Sequence, residues 1–391
     1  MAEKRNYYSE VYSSYTEIPR QDWESVAQLQ NVCFKWEYIR ALEETLPEDL
    51  RLLFTMTYNR GGAPVMVAMF QVVTFVYKKS DSASTLLKPF SDDTSATGNF
   101  ALNMLVCGNA FSNGENGFIW NELITPEEAI TEVTDIAKLI KKRSKSDREI
   151  SVVLFKEFWP TSISYSKLLK DHKYTDFNID VNMVLHISPD WRSWEDYLQS
   201  LKAKFRTKAN ATYKRSSDLE LRSLEADEIK QFEQRIELLY QNVLDRSDYS
   251  FGHLKPRTFH AFKTHLGDSF LFRAAFFQNE MIGFSTSFIH NGIMEAIYVG
   301  IDYEHNIERA VYQRLLYDYV DQAIKRVVEE LQLGRTSELI KSSLGARPVN
   351  MTLYAKHKKP LPNMLMTAVL AHVSPSKFEL RQPFKTNFKP K

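Results

Sequence analysis

Between Lys202 and Arg215 the chain carries Lys202, Lys204, Arg206, Lys208, Lys214 and Arg215 with no acidic residue among them. On a helix, positions 202 and 206 stack, as do 204 and 208. The resulting cationic face suits an anionic ligand such as a phosphate, a nucleotide or an acyl carrier; the plainer alternative is a solvated helix face. Arg335 follows the segment Val327–Leu333, read as a strand with an apolar end, and α/β sheets meet their ligands at strand ends. Its forked guanidinium fits a carboxylate or a phosphate, with an ion pair to Glu338 or another acid as the alternative. Thr336 stands beside it. No metal-ligand spacing, Ser/His/Asp arrangement or phosphate-binding glycine loop of the P-loop type is present in the sequence.

The segments that must hold these residues say one thing twice. Ser166-Lys167-Leu168-Leu169-Lys170 precedes Val181-Asn182-Met183-Val184-Leu185, and Ser337-Glu338-Leu339-Ile340-Lys341 precedes Val349-Asn350-Met351-Thr352-Leu353. Each copy reads as a short helix, a turn and a strand, so a duplicated domain with a cleft between its halves is expected. Lys341 echoes Lys170, which favours a stem packed on the protein with an exposed head; a ligand contact is the alternative. Asn350 echoes Asn182, and a strand Asn kept in both copies satisfies a backbone group or, alternatively, a substrate.

Around the copies the halves run in parallel. Trp23–Leu46 reads as helical segments, and Leu52–Tyr58 with Val65–Val76 as a hairpin turning at Asn59-Arg60-Gly61-Gly62. A polar loop follows at Lys78–Gly98, then a strand at Phe100–Cys107. Thr125-Pro126-Glu127-Glu128 opens a long helix with a cap, a proline and acids in place. Ser193-Trp194-Glu195-Asp196 opens another, expected to run unbroken to Arg215. The second half repeats the hairpin at Phe270–Phe277 and Met281–Ile289, adds a strand at Ile293–Gly300, and continues as a helix over Glu308–Arg326.

The 391 residues suffice for two domains. A net charge of +1 argues against a dedicated nucleic-acid binder. Cys33 and Cys107 read as small buried residues. The start Met1–Asn6 has no apolar core behind it, and no apolar run nears the roughly 20 residues that span a bilayer, so the expected location is the cytoplasm. Lys356-His357-Lys358-Lys359-Pro360 followed by apolar Leu361–Val373 suggests docking on the protein's own core or peripheral membrane contact.

The second half, with helices, three antiparallel strands, a long helix, then strand, helix and strand, resembles the GNAT acyltransferase fold. Leu333–Lys341 with Leu344-Gly345-Ala346-Arg347-Pro348 is similar to the corresponding stretch of FemAB-like proteins, a branch with tandem GNAT-like domains that includes aminoacyl and acyl transferases of peptidoglycan biosynthesis. The resemblance implies an α/β (α+β) fold of two GNAT-like domains: 1–190, a basic junction helix and connecting strand at 191–225, a second domain at 226–357, and a tail at 358–391. It implies transfer of an acyl or aminoacyl group from acyl-CoA or another activated donor to an amine, without a metal, on a small-molecule or lipid-linked substrate in the cleft. In that chemistry Asp302 or His305 would take the proton from the amine, and Tyr298 or Tyr354 would protonate the leaving group. Lys204, Arg206, Lys208, Arg335, Thr336, Lys341 and Asn350 would hold ligand. One departure stands out. Where acetyl-CoA-dependent enzymes place a glycine-rich loop for the pyrophosphate, this chain has Gly300–Arg309 with one glycine and three acids. A non-catalytic module for an anionic ligand or a protein partner is the alternative. Transfer from tRNA ranks last, since no coiled-coil arm is visible.

Overall fold

Two apolar runs that meet at Asn59–Gly62 fold back on each other as β2 (Arg51–Asn59) and β3 (Pro64–Tyr77), paired antiparallel from Arg51↔Val72 to Tyr58↔Pro64. Asn59 shapes the turn: its Oδ1 accepts the amides of Gly61 and Ala63 at 2.9 and 3.0 Å, and Gly62 takes the left-handed position at φ 81°. The computed structural model describes residues 6–27, 31–47, 50–77, 100–144, 149–178, 181–246, 254–360, 363, 379–386 and 388. The polar loop at 78–98, and all of the apolar stretch 361–373 except Asn363, lie outside them.

β1 (Tyr7–Tyr12), which the sequence pattern does not announce, borders the first sheet. Its order is β1-β2-β3-β4-β6-β15-β7, with β4 (Phe100–Cys107), β5 (Phe118–Trp120, paired to β3), β6 (Val152–Phe158), β7 (Thr175–Phe177) and β15 (Thr352–His357). The second sheet follows the order β14-β8-β13-β12-β11-β10-β9. Its strands are β8 (Val181–His186), β9 (Glu220–Ser223), β10 (Phe270–Phe277), β11 (Glu280–His290), β12 (Ile293–Ile301), β13 (Glu330–Gln332) and β14 (Arg347–Asn350). Apart from β5, the two sheets agree strand for strand. Each has an edge strand, a hairpin and a third antiparallel strand. A parallel neighbour follows (β4 with β6, β12 with β13), then an antiparallel strand from elsewhere in the chain and a short edge.

The chain divides into two compact units: Met1–Asp180 with Phe251–Leu254 and Asn350–Pro375, and Val181–Ser250 with Lys255–Val349 and Ser376–Lys391. The division is not linear at 190 and 357. β8, from the first copy of the repeated phrase, completes the second sheet, and β15, from the second copy, completes the first. The helix and the strand of each copy therefore belong to different units, because the partners of β8 are on β13 (Leu185↔Leu331) and those of β15 on β6 (Ala355↔Leu154).

Each sheet buries one face under a long helix. In the first unit α3 (Pro126–Arg143) begins with a reciprocal cap between Thr125 and Glu128 and lays Ala129, Ile130, Val133, Ile136, Ala137 and Ile140 against Leu105, Cys107, Val153, Phe155 and Tyr354. It is preceded in the chain by α1 (Arg20–Ala27) and α2 (Trp36–Glu43), and followed by the single turn α4 (Ile163–Ser166). In the second unit the sequence read Ser193–Arg215 as one helix, but it is two, α5 (Trp194–Ser200) and α6 (Ala203–Arg215). The break at Leu201-Lys202 is held by backbone pairing: Leu201 bridges Phe384, the Lys202 amide donates to Pro383, and the Lys385 amide donates to Ser200. After α7 (Ala226–Gln231), α8 (Glu233–Leu244) and α9 (Pro256–Leu266), the short α10 (Tyr303–Arg309) leads into α11 (Val311–Lys325), and α12 (Glu338–Ser343) closes the unit. Among the described residues no helix is long and apolar enough to cross a membrane.

Candidate active site

Alternation along a strand decides which side chains share a face. In the second unit Val181, Met183, Leu185, Met294, Ala296, Leu331 and Leu333 join one core with Leu316, Val320 and Ala323 of α11. The intervening residues Asn182, Glu295, Glu330 and Gln332 therefore lie on the opposite face. Three of them are buried, Asn182 at 1%, Gln332 at 6% and Glu295 at 7% exposure. Glu295 and Gln332 are register partners, and Gln332 Nε2 donates to Glu330 Oε1 at 2.7 Å. His290, buried at the end of β11, places Nε2 2.8 Å from Glu295 Oε1, while its Nδ1 has no hydrogen-bond partner. In the first unit the matching positions on β4, β6 and β15 are Met104, Val106, Val152, Leu154, Leu353 and Ala355, all apolar, and the buried polar side chain beside them on this face is Gln71 of β3, next to Val106. At the matching positions of these three strands the two sheets thus differ: hydrocarbon in one, a buried polar strip in the other.

The parallel pairing of β12 with β13 ends at Glu295↔Gln332, whereas β12 stays paired with β11 to Ile301. Past β13 the chain turns through Gly334, Thr336 and Ser337, all at positive φ. The Gly334 amide donates to Asn182 Oδ1 at 3.1 Å, and Asn182 Nδ2, buried, has no partner. Arg335 is half-buried, and desolvation lowers its pKa to about 10. Thr336 is exposed.

Lys341 corrects its expected placement. Its head is not in solvent: the residue is 4% exposed, and Nζ donates to the Arg335 carbonyl. Its echo Lys170 does have an exposed head, paired to Asp176 at 2.8 Å. Burial lowers the Lys341 pKa to about 7, with Glu338 acting in the opposite direction. Between that value and the ordinary 10.5, an unfolded chain holds a proton that the folded one has released, so stability rises with pH across this window. Urea titrations at pH 7 and pH 10 should show wild type gaining on Lys341→Met by at least about 1.4 kcal/mol, one pKa unit's worth. Equal changes in both proteins would contradict the burial of the charge.

The other expected site residues are dispersed. Asp302 caps α10, accepting the Glu304 amide on Oδ1 at 3.0 Å and Arg235 Nη2 on Oδ2 at 2.7 Å. His305 lies against the Phe277 ring, 3.5 Å from Arg309 Nη1. The Tyr298 ring packs on Tyr240 and Phe259, on the face of the sheet away from α11. Tyr354 is not in this unit: it is buried in the first sheet, bonded to Ser166 at 3.1 Å, and burial raises its pKa. Asn350 is exposed at the end of β14. On α6, Lys204 and Lys208 are exposed and Arg206 turns back to the Leu201 carbonyl at 3.5 Å. Arg215 donates to the Ile307 and Glu308 carbonyls of α10. In the tail's basic cluster Lys358 pairs with Glu149 at 3.0 Å, and Lys356 donates to the His172 carbonyl at 2.7 Å.

The place of the glycine-rich loop is filled by α10. Asn306 Oδ1 accepts the Tyr312 amide at 2.9 Å, closing the first turn of α11, as Thr125 and Glu128 close that of α3. In the first unit the matching strand end is closed by the chain's own Gly108–Gly117 loop. Lys156 donates to the Asn109 and Ser112 carbonyls, and Glu157, buried at φ 57°, accepts the Gly114 amide at 2.7 Å. Glu115 receives the Ser162 and Tyr165 hydroxyls, and burial raises its pKa. Neither this loop nor the pair His290 and Glu295 stands out in the sequence as a site. The one available signal for the pair was its spacing across the Asn291-Gly292 hairpin turn.

No protein-family model matches the chain, and no curated protein sequence does. Solved structures do. FemX aligns with a TM-score of 0.55 at 10% identity, over 92% of this chain and 100% of its own. A tandem GNAT protein from the clavulanic acid biosynthesis pathway aligns at 0.51 and 9% identity, over 90% and 99%. The C-terminal domain of a putative lysylphosphatidylglycerol synthetase from Agrobacterium fabrum aligns at 0.50 and 9% identity, over 90% and 96%. At such identities the fold is what is shared: the chain carries the GNAT fold twice in tandem.

Proposed function

We propose that the chain is an acyltransferase that moves an acyl or aminoacyl group from an activated donor to an amine, with the chemistry in its second unit. The observation that carries this reading is the buried polar strip on β12, β13 and β8, set where the first unit has only hydrocarbon. Buried polar side chains cost stability unless they are satisfied, and a scaffold has no use for that cost. Within the strip, Glu295 accepts from His290 Nε2, which fixes the proton there and leaves Nδ1 with its lone pair. The amine nitrogen attacks the donor carbonyl carbon. The new C–N bond forms, the bond from that carbon to sulfur or oxygen breaks, and the amine proton passes to Nδ1 and on to the leaving thiolate or alkoxide. Asp302 and His305 on α10 are the competing proton acceptors, and Tyr298 is a candidate proton donor.

The capped starts of α11 and α3 favour a donor that is not held by a diphosphate. An aminoacyl cargo and a lipid-linked acceptor agree with the structural neighbour named for lysylphosphatidylglycerol synthesis. Such an acceptor would draw the segment 356–373 to a membrane surface. The test is transfer by the purified full chain from a panel of acyl-CoA and aminoacyl-tRNA donors to small and lipid-linked amines, read by mass spectrometry. His290→Gln keeps a donor to Glu295 but removes the Nδ1 lone pair, and it should cost about a hundredfold or more in turnover. No product from any donor, or a His290→Gln protein at full rate, overturns the assignment. Ligand binding without turnover would instead favour the non-catalytic module.

A further inference from the structure

We propose that the end of β13 is a subsite for an oxyanion, the carboxylate or phosphate of a substrate, built from Asn182 and Lys341. It deepens the acyltransferase reading by placing the charged end of donor or acceptor, although the binding itself does not depend on turnover.

Two buried side chains at this turn have donors to spare. Asn182 gives Oδ1 to the Gly334 amide, which turns Nδ2, a donor only, into a buried site with no acceptor. Lys341 has three N–H groups, and the Arg335 carbonyl receives one of them. These two side chains grip adjacent residues of one turn, Gly334 and Arg335. Donors therefore converge on the end of a parallel strand, where open sheets place their ligands. The titratable group acting on Lys341 is Glu338 on its own helix; Tyr312 on α11 meets the turn through Ser337. An oxyanion supplies several acceptors at once, which two or three converging donors require.

The first unit shows what the position looks like without this task. On the same face of the strand that corresponds to β8 it has Leu353, and its echo of Lys341 is the exposed Lys170, spent on Asp176. The shared parts of the repeated phrase thus build the scaffold, and the parts that differ converge on one turn.

Burial lowers the Lys341 pKa, so an anion that seats beside the amine should recharge it and draw a proton from solution. Calorimetric titration of the full chain at pH 8 with inorganic phosphate and with acetate, each in two buffers of different ionisation enthalpy, reads both binding and proton uptake. The two probes separate a phosphate from a carboxylate subsite. The expected result is binding of one probe with uptake of a sizeable fraction of a proton. Affinity should fall at least tenfold in Asn182→Leu, and Lys170→Met should behave as wild type. Lys341→Arg, charged at every working pH, should bind without proton uptake, and it serves where Lys341→Met fails to fold. Neither probe binding at millimolar concentration, or unchanged uptake in Lys341→Arg, overturns the subsite. Binding without transfer from any donor would sink the acyltransferase reading and leave the subsite standing.

Discussion

Replacing Arg273 by methionine should destabilise the second unit by about 3–5 kcal/mol. Arg273 on β10 holds Asp318 of α11 with two parallel bonds, Nε to Oδ2 at 2.8 Å and Nη2 to Oδ1 at 2.9 Å. The Asp318 side chain is 3% exposed, so its charge has no water to fall back on. The next cation, Arg314, stands 4.0 Å away, too far to replace a bidentate partner. Arg273 also reaches Ser223 Oγ at 3.2 Å and the Leu221 carbonyl at 3.4 Å, tying the edge strand β9 to the same carboxylate. The loss is mostly the penalty of an unpaired buried charge rather than the worth of the pair. Arg273→Met with Asp318→Leu, which removes both charges, should therefore be more stable than Arg273→Met alone. Urea unfolding gives the sign, and faster amide exchange confined to β9, β10 and α11 would place the loss. A single variant within about 1 kcal/mol of wild type would mean that the pair is solvated after all.

What was legible in the sequence is what local chemistry decides. The Asn59–Gly62 turn, the Thr125 cap and the period of α11 each depend on residues a few positions apart, and each formed where expected. The tandem duplication was legible for the same reason, since each copy repeats its own local pattern. The exchange of β8 and β15 was not. A strand that crosses to the other sheet keeps the same alternation as one that stays, and only its long-range register tells them apart. The break at Leu201-Lys202 has the same origin, because the backbone groups that hold it come from Pro383, Phe384 and Lys385.

The site was legible in part. Arg335 and Thr336 were picked out by their place after a strand and Lys341 by its echo of Lys170; Arg335 and Thr336 lie on the turn after β13, and Lys341 reaches it from α12 through the Arg335 carbonyl. The echo misled about Lys341, because equal letters in two copies say nothing about unequal neighbours. Here Asn182, whose Oδ1 holds the turn, stands where the other unit has Leu353. Glu295 and Gln332 were each read into strands, but a strand's two faces cannot be told apart until its neighbours are known. The polar strip emerges only from the pairing of Glu295 with Gln332 and the packing of Met294 and Leu331 under α11.

Gly345→Ala should rank beside Arg273→Met in effect, for two reasons that can be separated. Gly345 sits at φ 104°, a conformation that side chains adopt at a cost of about 1–3 kcal/mol. A Cβ there would also overlap Cε2 and Cζ of Phe384 and crowd Leu185 Cδ1 at 3.3 Å. Phe384 has little room to yield. Its ring lies among Trp191, Tyr197 and Phe388 at centroid distances of 5.7, 6.4 and 5.1 Å, and Tyr197 is itself anchored to the Leu344 carbonyl at 3.0 Å. Overpacking of this kind adds about 1–3 kcal/mol, so a total of roughly 3 kcal/mol is expected. The strain is local to the backbone, whereas the overlap needs the ring. In a Phe384→Ala background the added cost of Gly345→Ala should therefore fall by at least about 1 kcal/mol, a coupling that a double-mutant cycle measures directly. Additive losses would show that the ring moves aside freely and that φ alone requires the glycine. A coupling of the expected sign would show that Gly345 is kept so that Phe384 can close over the end of α12 and pin the Pro383–Lys385 segment across the break between α5 and α6.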